Sequence, residues 1–257
     1  MEIPITLASS ANQLLASLPA VRFKEIQPHL ERVKMRRGEI VYKAGESIPY
    51  VYFPESCIIS MVTVFEDGTS IECGMIGREG MTGTTLALSD GASSREAYVQ
   101  VTGSALRIKA RNFCAAMEGG GVFQRSVLTY TSTFIEQVIQ TGACSSHHSL
   151  NERLARLLLM CNDRTDGNKV FITHEFIAQM LGTYRPNVTN AAVSLKEQEL
   201  IDYRRGLITI LDKKGLETAS CECYKIIKKC YRKYLTSLQK RPVRAHVECV
   251  NPIVGLN

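Results

Sequence analysis

Between residues 12 and 35, NQLLASLPAVRFKEIQPHLERVKM, apolar side chains recur at helical spacing at Leu14, Leu15, Leu18, Phe23, Ile26 and Leu30. Pro19 interrupts that run, because an interior proline removes a hydrogen bond and clashes with the preceding turn, so two short helices are predicted. From Gly38 the rhythm shortens. Apolar stretches at 38–42, 50–53, 57–64, 70–75, 98–101 and 105–108 are separated by turn chemistry at Gly45, Pro54-Glu55-Ser56 and Glu66-Asp67-Gly68. Short strands at such regular intervals predict an all-β roll or barrel. Gly77, Gly80 and Gly83 cluster within it in GREGMTG.

After Gly119-Gly120-Gly121 the period becomes helical again. Phe123, Val127, Tyr130, Phe134, Val138 and Thr141 follow at intervals of 4, 3, 4, 4 and 3. That is the seam of a coiled coil, predicting a long helix that pairs with a second copy. A core helix lying on the roll is the alternative. Ser145 to His148 reads as a polar break, after which Ser149 and Glu152 form a capping box for a helix over 153–160. A loop over 162–169 and a strand over 170–172 lead to Thr173.

The stretch from Thr173 to Ile201 carries the sharpest local signals. Thr173 is a good N-cap, and Phe176, Ile177, Met180 and Leu181 recur at helical spacing. Gly182 ends that helix, since the residue past a helix end commonly takes the left-handed conformation. A second helix restarts near Arg185 with Pro186 in its first turn. Val188, Ala191, Ala192 and Leu195 form its buried stripe, leaving Arg185, Asn187, Thr189 and Asn190 on or near an outward face. Arg suits guanine and Asn suits adenine in a DNA major groove; the alternative is a helical hairpin with a solvated face. Residues 201–203 and 207–210 then read as two strands around the basic turn Arg204-Arg205-Gly206, a wing whose arginines would lie on phosphate.

Charge sharpens this picture. The net charge is +6, and from Val122 onward 19 Lys and Arg oppose 12 Asp and Glu. A near-neutral front and basic back suit a sensor joined to a nucleic-acid binder. No apolar run approaches the ~18 residues of a membrane helix, and the N-terminus lacks the basic region of a signal peptide. Nine cysteines without a disulfide-like or zinc-like spacing predict reduced thiols, a cytoplasmic location and no metal.

The helix-turn-helix and wing resemble those of the Crp/Fnr family of bacterial transcription regulators. The resemblance covers roughly residues 12 to 235. It implies an α+β chain with a cyclic-nucleotide-binding-type β-roll over 1–121 and a dimerisation helix and hinge over 122–148. A winged helix-turn-helix with a C-terminal helix would follow over 149–235, then a tail over 236–257. The implied partners are double-stranded DNA, a second copy of the chain, RNA polymerase and a small-molecule effector. Thr173 and Asn187 would touch phosphate, Arg185 and Asn190 base edges, and Tyr184 the backbone. Pro186 stands where many members carry an acidic residue and Asn190 where many carry Arg, so the target sequence should differ from the cAMP-type site.

For the effector, the family's phosphate cassette ends in Gly-Glu, and the matching positions here are Gly83-Thr84, beside Thr85. Arg95 matches the later phosphate-binding Arg. Val138 and Ile139 fall where cAMP binders carry base-contacting hydroxyls. The ribose carboxylate is therefore missing, and cAMP is not the expected effector.

Two other classes fit the sequence less well. An enzyme on a β-barrel of the cupin type needs a His and carboxylate cluster, yet only His29 precedes the long helix, and no P-loop or nucleophile elbow appears. No catalytic residue or cofactor is expected. A thiol or metal sensor would use Cys221, Cys223 and Cys230, but on one helix Cys221 and Cys223 point in different directions.

Overall fold

The computed structural model describes residues 4–89 and 92–239. Helices α1 (Gln13–Ala16) and α2 (Ala20–Ile26) flank Pro19. Asn12 caps α1 by accepting from Leu15 N, and its Nδ2 donates to the carbonyls of Pro54 and Gly80, which pins the helix to the roll. The helical rhythm does not run to Met35. A 3-10 turn at Gln27–His29, containing Pro28, ends it, and Glu31–Met35 is strand β1.

The roll is two antiparallel sheets. One has the order β1, β7 (Gly103–Lys109), β3 (Tyr50–Pro54). The other has the order β2 (Ile40–Tyr42), β6 (Glu96–Val101), β4 (Ile58–Val64), β5 (Ser70–Ile76). Val51, Ile58, Met75, Val99 and Leu106 are among the buried side chains that hold them together. Helix α3 (Ala110–Glu118), which the apolar pattern did not reveal, closes the roll before the glycine turn.

Helix α4 (Gly121–His147) corrects the predicted dimer seam. Phe123, Val127, Tyr130 and Phe134 are buried inside the single chain. Phe123 meets Phe113 edge-on, and the Phe134 ring lies against Gly74 of β5. Tyr130 stacks on Phe134 and packs against Tyr234. It also lies so close to Gly80 that a Cβ there would fall 1.9 Å from its ring. The seam belongs to the chain's own core, because a heptad spacing marks a buried face without saying what covers it. The opposite face carries Leu128, Ile135 and Ile139, which are 39, 45 and 62% exposed. Nor does α4 break at Ser145. Ser145 and Ser146 donate to the carbonyls of Thr141 and Gly142, four residues back, so their hydroxyls are absorbed by the helix.

Helix α5 (Leu150–Asn162) starts on the capping box of Ser149 and Glu152. Strand β8 (Lys169–Phe171) leads to α6 (His174–Leu181) and α7 (Arg185–Glu197). Strands β9 (Ile201–Arg204) and β10 (Leu207–Ile210) complete a sheet of order β8-β10-β9. The single helix expected after Leu211 is two, α8 (Lys213–Ala219) and α9 (Glu222–Gln239), broken at Ser220 and Cys221. Helix α9 continues past residue 235, where the tail was predicted to begin; residues 240–257 of that tail lie outside the described residues.

This second half folds back on the roll. Gln179 of α6 donates to Ser70 of β5, and Tyr98 of β6 packs edge-on against Phe176 at 5.5 Å. Deeper in, Arg164 pairs with Glu79 at 2.7 Å, both 7% exposed, and also donates to Gln137 of α4. A charge pair so deeply buried persists only when its remaining hydrogen bonds are satisfied, and here they join α5, α4 and the roll. Among the described residues no helix is long and apolar enough to cross a membrane.

Candidate nucleic-acid interface

The geometry begins at Thr173, whose hydroxyl accepts from Phe176 N at 3.2 Å and starts α6. Gly182, at φ 59° and ψ 50°, takes the left-handed cap that turns the chain into α7. Val188, Ala191, Ala192 and Leu195 are buried beneath α7, as their spacing predicted. Tyr184, at its N-cap, is 80% exposed. Arg185, Pro186, Asn187 and Asn190 stand in solvent beside it. Asn187 Nδ2 donates to Thr183 Oγ1 at 3.2 Å.

Thr189 is half-buried at the edge of that outward set. Its hydroxyl donates to the Arg185 carbonyl and lies 3.1 Å from His174 Nδ1. His174 is a residue that sequence reasoning missed. Its ring stacks on Tyr203 of β9 at 4.1 Å, so one imidazole ties α6, α7 and the wing together. Because Thr189 spends its proton on a carbonyl, the ring proton of neutral His174 belongs on Nδ1. Nε2 is buried with no hydrogen-bond partner among the described residues. Burial and then the nearby Arg185 charge lower its pKa, keeping the ring neutral. The available signal was a His next to the N-cap in an otherwise apolar hairpin.

The wing turn is Arg205-Gly206, at φ 48° and 81°. Leu207 pairs with Arg204 across it, so this is a two-residue hairpin loop with positive φ at both positions, as a type I′ turn requires. Arg204 and Arg205 are exposed, and Arg204 reaches Asp202 at 3.3 Å. Asp202 also accepts from Lys196 at 2.8 Å, a bond that lowers its pKa and ties the wing to α7.

The expected effector residues lie on the roll and on α4. Gly83 is left-handed and opens a 3-10 turn at Thr84–Ala87, with Thr84 and Thr85 half-buried. The Tyr42 hydroxyl faces the Gly83 backbone and Ser93, and burial pushes its pKa up to about 12. Arg95 is exposed, and its guanidinium donates back to Ser94. Val138 packs half-buried against the core, whereas Ile139 points into solvent. The cysteine trio is corrected too. Cys221 and Cys223 lie together, but Cys230 is not with them; Cys144 and His148 are.

Two family descriptions match the chain in this order. The cyclic nucleotide-binding domain matches residues 32–119, and the Crp-like helix-turn-helix domain matches residues 152–219. The chain belongs to the Crp/Fnr family of transcription regulators. No curated protein sequence matches it significantly. Solved Crp/Fnr-type structures share its fold. A crp/fnr-family chain from Eubacterium rectale is 22% identical with a TM-score of 0.62, covering 80% of this chain and 96% of that one. A CRP-family regulator from Thermus thermophilus is 21% identical with a TM-score of 0.61, covering 74% and 96%. FixK2 from Bradyrhizobium japonicum is 17% identical with a TM-score of 0.64, covering 75% and 98%. The α+β architecture of roll, long helix and winged helix-turn-helix is that of the Crp/Fnr fold.

Proposed function

We propose that this Crp/Fnr regulator binds an inverted-repeat site in double-stranded DNA as a homodimer. One observation carries the reading: the N-terminal end of α7 and the wing turn are exposed, while the α7 stripe behind them is buried. Arg185 and Asn190 read base edges; Thr173, Tyr184, Asn187, Arg204 and Arg205 hold the backbone. The dimer forms through the outer face of α4. Leu128, Ile135 and Ile139 stand seven and four residues apart, with small Ser132 between the first two and small Gly142 at the next heptad position. RNA polymerase is the partner through which such a regulator acts.

A two-fold along α4 places the recognition helices one helical turn, ~34 Å, apart on DNA. Footprinting should therefore show an inverted repeat, and sedimentation a dimer. A single protected half-site bound by a monomer would reject the reading.

The effector is not cAMP. Thr84 offers no charge at the ribose position, Tyr42 faces the Gly83 backbone, and Arg95 is turned to Ser94. Loss of a charge-assisted bond of roughly 1.5–3 kcal/mol alone weakens binding about ten- to a hundredfold. Calorimetric titration checks this, and micromolar cAMP binding that also tightens the protein on its DNA would overturn it.

A further inference from the structure

Where α4 ends against the α8–α9 link, four side chains with metal-binding atoms converge. Cys144 and His148 lie one turn apart at the end of α4. Cys221 sits in the link and Cys223 in the first turn of α9. Cys144 and Cys221 are 77 positions apart in sequence. The three sulfurs and one ring nitrogen of the four side chains all lie within 4.8 Å of one another. The three cysteines are buried together as a small cluster apart from the main core.

Two of the ligand–ligand distances have the length of an edge of a tetrahedron around one ion. Zinc–sulfur and zinc–nitrogen bonds of about 2.3 and 2.0 Å imply edges of roughly 3.8 Å between sulfurs and roughly 3.5 Å between sulfur and nitrogen. The Cys144 and Cys221 sulfurs are 3.5 Å apart, and Cys223 Sγ is 3.6 Å from His148 Nδ1. The surroundings fit as well. His148 Nε2 lies 3.1 Å from the Glu222 carboxylate, which fixes the proton there and frees Nδ1 to ligate. Gln140 donates to Cys223 Sγ at 3.0 Å.

We propose that Cys144, His148, Cys221 and Cys223 form a structural zinc site that clamps the end of α4 to the start of α9. Three thiolates and an imidazole favour zinc over hard cations, and four protein ligands in a closed, largely buried setting leave no open position for catalysis. The ion would join the helix that carries the exposed apolar face to the element that follows the wing.

Full-length protein, purified without chelators, should hold about one zinc per chain by mass spectrometry. Apoprotein titrated with cobalt should saturate at about one per chain, with the thiolate charge-transfer and d–d bands of a tetrahedral sulfur-rich site; this needs no variant to fold. Cys144→Ser and Cys223→Ser should each weaken zinc retention against a chelator more than tenfold, whereas Cys230→Ser leaves it unchanged. Stripping the zinc should lower Tm by more than about 5 °C, reversibly on its return. Absence of both zinc and a stoichiometric cobalt spectrum would overturn the site. So would iron with acid-labile sulfide in place of zinc, or equal retention in the Cys144→Ser and Cys230→Ser proteins.

Discussion

Helices α4 and α7 both carry an apolar stripe at helical spacing, yet the two stripes mean different things. Helix α7 has a single apolar stripe, with Val193 alone exposed off it, so burying Val188, Ala191, Ala192 and Leu195 leaves its polar end outward by subtraction. Helix α4 is apolar on two sides. Phe123, Val127, Tyr130 and Phe134 face the roll and α9, while Leu128, Ile135 and Ile139 face solvent. A periodic stripe therefore assigns function where only one stripe exists. Where two exist, their order of burial comes from the fold.

The two sides of α4 can be altered separately. Phe134→Ala, on the inner side, should cost ~3–5 kcal/mol of stability through the cavity it leaves, measured by urea unfolding. Ile135→Asp with Ile139→Asp, on the outer side, should leave a folded monomer whose DNA affinity falls by more than about a hundredfold, because an intramolecular second contact is lost. A monomer from Phe134→Ala with unchanged unfolding would exchange the two faces.

On α7 the test is one of reading against holding. Arg185→Ala should cost ~1–3 kcal/mol on the specific site and relax one base position in a binding-site selection. Arg204→Ala or Arg205→Ala should weaken specific and random DNA alike and reduce the salt slope by about 1. Equal losses on both DNAs from Arg185→Ala would move that residue into the holding class.

The smallest effect concerns the joint behind α7. The folded pKa of His174 lies below its ordinary 6.5, so the fold favours the neutral ring. Stability from this residue is thus complete above pH ~6.5 and falls as pH drops from there toward the lower folded value. Chemical denaturation at pH 7.5 and 5.5 should show a larger loss for the native protein than for His174→Gln. An identical loss in the two would remove His174 from the joint.

The features legible in the sequence were those decided by near neighbours. Thr173 caps α6 through a bond to a backbone group three residues on, and Gly182 turns the chain because its own φ is positive. Ser149 and Glu152 make their capping box within four residues, and the α7 stripe needs only a helical period. Such interactions close no loop, so they require no knowledge of the rest of the chain. Arg185, Asn187 and Asn190 could be placed outward for that reason.

The tertiary structure decided what distant segments do to one another. It turned Glu31–Met35 into a strand by pairing it with β7, and it took the predicted seam of α4 for the roll and α9. Thr189 meets His174, fifteen residues away, whose ring is stacked on Tyr203. The four-ligand cluster is the extreme case. A single helix through Cys221 and Cys223 would splay them, but the chain breaks at Ser220 and Cys221, and both thiols then meet Cys144, 77 positions from Cys221. Side chains that far apart in sequence converge only when the whole chain has packed, and no local period or spacing records it.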